Sequence, residues 1–359
     1  MSLHFHILRI NNIVTETADC VSVIFDVPAE LKESFQFKQG QSLTMRTTID
    51  GKEVRRTYSI CASPAENELK VAIKKVAGGL FSFFANEKLK AGDTLEVMEP
   101  VGKFYTELNA SNKKNYLAFA AGSGITPIIS IIKTTLETES QSRFTLVYGN
   151  KNRMSIIFFE ELEGLKNKYI DRFNLVNILS RERTDSTLNS GKINSAKLDE
   201  LNKLIDYSLV DQTFICGPEE MLFCIKNYLE ASGCDKKKIH FELFTTAGQK
   251  NKQKIVDTID AETGAKSSIS LKADGRFYDF TIPFNSELSI LDAAMQEGAD
   301  LPYACKGGMC CTCKAKLIEG EVIMDVHWGL EEEEVENGYI LTCQSHPKTE
   351  KVVVDFDAK

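Results

Sequence analysis

Four cysteines stand at a spacing that has a chemical use. Cys305, Cys310 and Cys313 form a C-x4-C-x2-C run, and Cys343 follows after a gap of 29 residues. Thiolates are soft metal ligands, and this spacing is that of a plant-type 2Fe-2S cluster, which takes four of them. Such a cluster needs a tight loop whose amides point at the bridging sulfides, and Gly307 and Gly308 let the backbone come that close. Zinc is the rival occupant. Structural zinc sites pair two short C-x2-C knuckles, whereas only Cys310 and Cys313 have that spacing here, so iron-sulfur chemistry is the expectation. Cys20, Cys61, Cys224 and Cys234 have no ligand spacing and read as ordinary core or structural residues.

Five further segments carry groups suited to phosphates and flat rings. In Arg55-Arg56-Thr57-Tyr58-Ser59-Ile60 an arginine can neutralise a pyrophosphate, a tyrosine can stack on a flavin, and a serine hydroxyl can bond the N5 edge. About twenty residues on, Gly78-Gly79-Leu80-Phe81-Ser82 leads glycines into a helical pattern, which suits phosphate capture at a helix N-terminus. Ala121-Gly122-Ser123-Gly124-Ile125-Thr126-Pro127 lies between an apolar strand and an apolar helix, a turn at which a pyrophosphate can meet backbone amides. Cys216-Gly217-Pro218 closes another apolar strand. Ser180-Arg181, with Arg183 and Lys192 nearby, offers a hydroxyl and cations where an adenosine 2′-phosphate would fall, although Glu182 puts an acid in the same turn.

Composition narrows the class. The chain has 359 residues, 43% apolar and 26% charged, a length for two or three domains of soluble type. Its net charge of -8 argues against nucleic-acid binding, which needs a basic surface. No stretch is long and apolar enough to span a bilayer, and MSLHFHILRI lacks the parts of a secretory signal, so a cytoplasmic location without membrane or nucleic-acid partners is expected. Ten cysteines in a reducing compartment are then candidates for metal ligation before disulfides.

The elements that must position these groups follow from the rhythm of the chain. Short alternating runs such as VSVIFDV, QSLTMRTTI and LKVAIKKV, up to about Thr106, predict an antiparallel β-barrel over residues 1–108. From 109 to 246, the runs YLAFA, FTLVYG, FNLVNILS and TFICG alternate with PIISIIKTTLE, FFEELEGLKNKY and EEMLFCIKNYLEA, which predicts a doubly wound α/β domain with a parallel sheet. Residues 247–263 are polar and weakly patterned and read as a linker. In 264–359 a hairpin is expected around Asp274-Gly275 and a helix carrying Leu288, Leu291 and Met295, stopped by Gly298. The run Glu331 to Glu334 is a solvated helix surface or a docking face for a basic partner.

These motifs together resemble the ferredoxin-NADP reductase superfamily carrying a C-terminal plant-type ferredoxin domain. The likeness covers nearly the whole chain. LPYACKGGMCCTC and YILTCQSHP resemble the ferredoxin ligand segments, RRTYSI and the Gly-Gly loop the flavin segments, and AGSGITP and Cys216-Gly217-Pro218 the nicotinamide segments. The resemblance implies an α+β β-grasp fold for the last domain, with Cys305, Cys310, Cys313 and Cys343 as cluster ligands. It implies that Arg56, Thr57, Tyr58 and Ser59, with Ala72, Ile73 and Lys74 on the adjoining strand and Gly79, Leu80, Phe81 and Ser82 at the pyrophosphate, bind FAD. It further implies that Gly122, Ser123, Gly124, Thr126, Gly217 and Pro218 hold the dinucleotide, that Ser180 and Arg181 select NADPH, and that Tyr58, Ser59 and Cys216 stand at the reacting rings. Cys311 departs from the pattern, since that position usually holds glycine or another small residue.

The domain order resembles the reductases of multicomponent oxygenases. RRTYSI, VAIKKVAGGLFS, AGSGITP, LVYGN and LSRE bring it nearest to the reductase components of phenylacetyl-CoA epoxidase systems. The implied activity passes electrons from NADPH to FAD, to the 2Fe-2S cluster and on to an oxygenase component. Oxygen activation falls to that partner, since no E-x-x-H pattern for a di-iron site occurs here. Two alternatives stay open: a reductase serving another hydroxylase, a dioxygenase or a hybrid-cluster protein and using NADH, and a redox sensor without turnover.

Overall fold

The computed structural model describes residues 4–244, 265–284 and 286–358. The expected linker at 247–263 lies outside the described residues. The chain divides into two compact units, one over Phe5–Phe244 and one over the described residues from 265 onward, and each is considered by itself.

The first unit opens with a six-stranded antiparallel sheet. Its strands are β1 (Phe5–Thr17), β2 (Cys20–Asp26), β3 (Ser42–Ile49), β4 (Lys52–Ser59), β5 (Leu69–Lys74) and β6 (Thr94–Met98), with the short helix α1 (Leu80–Glu87) between the last two. The order β4-β3-β6-β1-β2-β5 leaves β4 and β5 as edges. Ile60, just past β4, forms an isolated bridge with Val71 of β5 and draws those edges together, as a barrel requires. Inside lie Leu8, Val23, Leu43, Met45 and Val97, all buried, on the inward side of the pleat.

The same unit continues into a five-stranded parallel sheet. Its elements are β7 (Asn115–Ala121), α2 (Ile125–Thr138), β8 (Arg143–Asn150), α3 (Phe159–Lys168), β9 (Phe173–Leu179), α4 (Ser195–Leu201), β10 (Gln212–Gly217), α5 (Glu219–Ala231) and β11 (Ile239–Leu243). The order is β11-β10-β7-β8-β9. Strands of such a sheet are covered on both faces, which is why YLAFA is buried without alternation. The chain runs from β7 outward to β9, then returns to the other side at β10. The switch point therefore falls between β7 and β10, and ligands of open α/β sheets bind outside the carboxyl ends of the strands there.

The second unit is a small α+β fold. Its main sheet joins β12 (Lys266–Ala273), β13 (Arg276–Pro283), β14 (Lys314–Glu319), β16 (Tyr339–Leu341) and β18 (Lys351–Asp355), while β15 (Val322–Met324) pairs with β17 (Ser345–Pro347). The order of the main sheet is β13-β12-β18-β14-β16. The expected hairpin is present: Asp274 and Gly275 have φ of 48° and 72°, the left-handed pair that a two-residue turn needs. Helix α6 (Ile290–Gln296) packs Ile290, Leu291 and Ala294 into the core. It starts later than the apolar stripe suggested, because Ser289 caps it through the Asp292 amide and leaves Leu288 outside. Helix α7 (Glu332–Glu336) uses Glu331 and Glu334 as a capping box, so the acidic run is partly structural. Among the described residues, no helix is long and apolar enough to cross a membrane.

Candidate cofactor sites

Strand β4 ends in the flavin-type motif. Tyr58 packs on Phe81 with ring centroids 5.7 Å apart, and burial pushes its phenol well above the ordinary range, so it stays neutral. Arg56 donates to the Arg55 carbonyl at 2.6 Å and remains partly exposed. Thr57 Oγ1 lies 3.2 Å from Thr44 Oγ1 on the neighbouring strand, so its hydroxyl is engaged within the sheet. Ser59 is buried, and its Oγ donates to Glu242 Oε2 at 3.1 Å.

The glycine loop before α1 is knitted by Ser82. Its Oγ accepts from the Val76 amide and donates to the Gly79 carbonyl, each at 3.1 Å. Ser82 thus shapes the cradle with a hydroxyl already in use. A Cβ at Gly79 would sit 2.5 Å from that hydroxyl, which explains the glycine. Phe81 is a core residue, while Leu80 is exposed at the helix start. The first turn of α1 holds no acid, leaving its amides and positive end for an anion. Ala72 and Ile73 are buried on β5, so only their edge-strand backbone could face a cofactor.

Across the switch point the two nucleotide-type loops meet backbone to backbone. A Cβ at Gly124 would fall 2.1 Å from the Cys216 carbonyl oxygen, and one at Gly217 3.2 Å from the Ala121 side chain. Only glycine permits that approach. Thr126 Oγ1 closes the turn by donating to the Ser123 carbonyl at 3.1 Å, and Pro218 caps α5. Tyr148, one residue before the glycine of LVYGN, donates its hydroxyl to the Gly122 carbonyl at 2.8 Å. It had no signal beyond its place near a strand end. Lys74 of β5 reaches the same loop, its Nζ 4.0 Å from a Cβ placed on Gly122, and it pairs with Asp19 at 3.6 Å.

Cys216 is fully buried, and burial, then the neighbouring Glu242, pushes its thiol well above the ordinary range. The parallel register of β10 and β11 sets Cys216 directly opposite Glu242. Ser59, Glu242 and Cys216 therefore converge, two from the carboxyl edge of the parallel sheet and one from the barrel. Sequence reasoning missed Glu242. Its signal was a lone acid in the apolar run HFELF.

At the end of β9, the Ser180 amide and Oγ both bond the Asn150 carbonyl, at 2.9 and 3.2 Å, and the Arg181 amide bonds the Lys151 carbonyl at 2.8 Å. The Arg181 side chain is exposed. Glu182 turns to accept from the Arg153 amide at 2.7 Å. Arg153, not singled out in the sequence, stacks over Phe159 at 4.6 Å and lines an open cavity of 460 Å³ with Ile156, Asn177 and Leu179.

In the second unit the pairing Lys314↔Leu341 between β14 and β16 brings Cys313 and Cys343 together across the sheet end. The preceding loop takes left-handed backbone at Lys306, Gly308 and Cys311, with φ of 49°, 73° and 56°. It wraps Cys305 so that its sulfur accepts from the amides of Gly307 at 3.2 Å and Cys310 at 3.4 Å. A hydrogen bond from the Cys310 thiol, helped by these amides and opposed by burial, holds the Cys305 thiol down to about 6. Cys313 and Cys343 likewise share a sulfur hydrogen bond. Two thiol pairs result, Cys305 with Cys310 and Cys313 with Cys343, a donor set that suits two irons taking two thiolates each. Cys311 points elsewhere, donating to the Gly329 carbonyl at 2.8 Å.

Comparison with known proteins agrees with this layout. An oxidoreductase FAD-binding domain matches residues 8–105, an oxidoreductase NAD-binding domain 119–227, and a 2Fe-2S iron-sulfur cluster binding domain 272–348. The chain is 45% identical to one of the subunits of 1,2-phenylacetyl-CoA epoxidase of Escherichia coli (strain K12), over 99% of this chain and 98% of that one. It is 32% identical to the ferredoxin reductase component of 3-ketosteroid-9-alpha-monooxygenase from Rhodococcus rhodochrous, over 98% and 96%. The solved structure of phthalate dioxygenase reductase shares the fold, with a TM-score of 0.59, 23% identity and 98% of each chain covered. The architecture, the three matching domains and the full-length identity lead to one conclusion: this oxidoreductase belongs to the family of FAD-, NAD- and 2Fe-2S-binding reductase components that includes the matching chain of Escherichia coli 1,2-phenylacetyl-CoA epoxidase.

Proposed function

We propose that the chain takes electron pairs from NADPH at an FAD held by residues 1–108 and delivers them singly, through a 2Fe-2S cluster in residues 264–359, to the oxygenase component of a phenylacetyl-CoA epoxidase. The observation that carries this reading is the convergence of Ser59, Glu242 and Cys216 at the switch point of the nucleotide-type sheet. When bound, FAD supplies an acceptor for two electrons that can be discharged one at a time. The rest is the work of the chain.

Arg56 and the first turn of α1 meet the negative charge of a diphosphate, and Tyr58 presents a neutral ring face. Ser59 Oγ carries a proton held against Glu242 Oε2, so the pair can deliver or receive a proton at that oxygen. The neutral thiol of Cys216 makes a small uncharged wall that excludes water and limits where a flat ring can lie. Close contact of Gly124 with the Cys216 carbonyl holds the two loops at one separation.

The preference for NADPH is supported by the exposed Arg181 next to Ser180, by Arg153 lining the cavity with Leu179 at the end of β9, and by Glu182 being turned to the Arg153 amide. The partner is supported by the 45% full-length identity to a chain of a phenylacetyl-CoA epoxidase. Purified, reconstituted protein should reduce cytochrome c with NADPH at a kcat/KM at least tenfold above that with NADH, and should support product formation by a phenylacetyl-CoA oxygenase component. Flavin-loaded protein that leaves both nicotinamides unoxidised beside ferricyanide would overturn the reading.

A further inference from the structure

Helix α2 leaves the glycine loop at Ile125, and one stripe of it meets the segment that follows the flavin-type motif. Ser130 Oγ donates to the Ala62 carbonyl at 2.6 Å. Lys133 Nζ donates to both oxygens of Glu66, at 2.9 and 2.7 Å, and to Glu161 at 2.7 Å. Glu137 Oε2 accepts from Ser63 Oγ at 2.7 Å. Ser130, Lys133 and Glu137 stand at i, i+3 and i+7, hence on one face.

The contact is built with charge in a buried place. Lys133 is 2% exposed, and Ser130 and Ser63 are fully buried. Glu66 is itself held by accepting from the Ser63 amide at 2.7 Å. Lys70 adds a second cation 3.8 Å from Glu161. The barrel thus contributes Glu66 and Lys70, and the α/β part contributes Lys133 and Glu161. Apolar side chains of similar volume would hold two such surfaces together as firmly. What ions add is direction, since these bonds are made in one register and a slip leaves a buried charge unpaired.

That register matters because of what each end carries. Ala62 lies three residues beyond Ser59, and Ser130 four residues beyond Thr126. We propose that Ser130, Lys133 and Glu66 are positioning residues which set the glycine loop against the flavin strand, and so the distance over which hydride passes from nicotinamide, which is oxidised, to flavin, which is reduced. This rests on the function proposed above.

The test is stopped-flow mixing of the full-length, flavin-loaded protein with NADPH and, separately, NADH. It follows flavin bleaching and the long-wavelength charge-transfer absorbance that reports ring stacking. Lys133→Met and Ser130→Ala are expected to keep their flavin and their reduction by dithionite. Both should lose charge-transfer absorbance and bleach more slowly, by ten- to hundredfold for Lys133→Met, about the penalty of a 1 Å misplacement. Lys133→Arg should recover most of both signals. Band and rate unchanged in Lys133→Met and Ser130→Ala, even with a lowered unfolding temperature, would show that the contact only holds the halves together. If Lys133→Met does not fold, Ser130→Ala, which removes one neutral bond, decides the matter. A wild-type protein bleached by neither nicotinamide overturns the proposed function, and the positioning role with it.

Discussion

Ser59 Oγ donates to Glu242 Oε2 over 3.1 Å, joining the end of barrel strand β4 to the last strand of the parallel sheet, 183 residues further along the chain. Because β10 and β11 run in parallel register, the same glutamate stands opposite Cys216. A carboxylate between the two groups expected at the reacting rings is the natural place for a proton to rest. Glu242→Ala is expected to slow flavin reduction by about a hundredfold, the lower range for loss of a general acid-base group. Glu242→Gln keeps an acceptor for Ser59 but cannot take up a proton, so it should retain flavin and still lose the rate. Single-turnover rates against pH separate the two effects.

Gly124 has no room for a side chain against the Cys216 carbonyl, 2.1 Å from where its Cβ would be. Gly124→Ala must push the two loops apart. The nicotinamide KM is expected to rise by roughly a hundredfold while flavin content stays full, because the displaced backbone belongs to the nucleotide side. Steady-state kinetics with flavin quantitation checks this.

The cysteines should divide cleanly. Cys343→Ala removes one sulfur of a pair and is expected to abolish the cluster's visible absorption and its reduced-state EPR signal, leaving flavin-level ferricyanide reduction intact. Cys311→Ala, whose sulfur is bonded to the Gly329 carbonyl, should keep two irons per chain. Iron and sulfide assays distinguish the variants.

His240 is half-buried, stacked on Phe214 with centroids 5.0 Å apart and bonded to Gln212 at 2.7 Å. Burial lowers its pKa from the ordinary 6.5. A histidine depressed in the folded state costs nothing above its unfolded pKa. Below it the unfolded chain binds a proton the native protein resists, so stability is lost as pH falls from 6.5 through the lowered value. Denaturant titrations should show this slope in the native sequence, and a shallower one in His240→Phe.

The charge of -8 is not spread evenly. Residues 265–358 hold 17 acids against 8 lysines and arginines, and residues 1–244 hold 31 of each. Electron delivery to the basic acceptor cytochrome c should therefore slow as salt rises from about 10 to 200 mM, over which screening shortens from ~30 Å to under ~10 Å. Delivery to anionic ferricyanide should quicken or stay level. The same salt response with both acceptors would rule out this electrostatic account.

What could be read along the chain is what local chemistry specifies. Cys305, Cys310 and Cys313 lie within nine residues, and their loop needs left-handed backbone that Gly308 takes up freely; the glycines of AGSGITP and Cys216-Gly217-Pro218 mark turns at strand ends. Alternating residue types marked the barrel strands and apolar runs the parallel ones, although β2 and β3 are each buried at four consecutive positions, so burial in the barrel is not confined to one face. Other features of these segments are set by packing: Ser82 and Thr126 spend their hydroxyls folding their own loops, and Phe81 belongs to the core.

The rest depended on which distant segments the topology sets side by side. Glu242 beside Ser59, Tyr148 under Gly122, Arg153 beside Glu182 and Lys133 between Glu66 and Glu161 have no local signature, since an ion or hydroxyl on a helix or strand reads the same whether it meets water or a partner. The residue types of the cofactor segments were written in the sequence. The convergence of Ser59, Glu242 and Cys216 came from strand order and register, because a hydrogen bond is decided within a few tenths of an ångström and only the packed chain sets distances that finely.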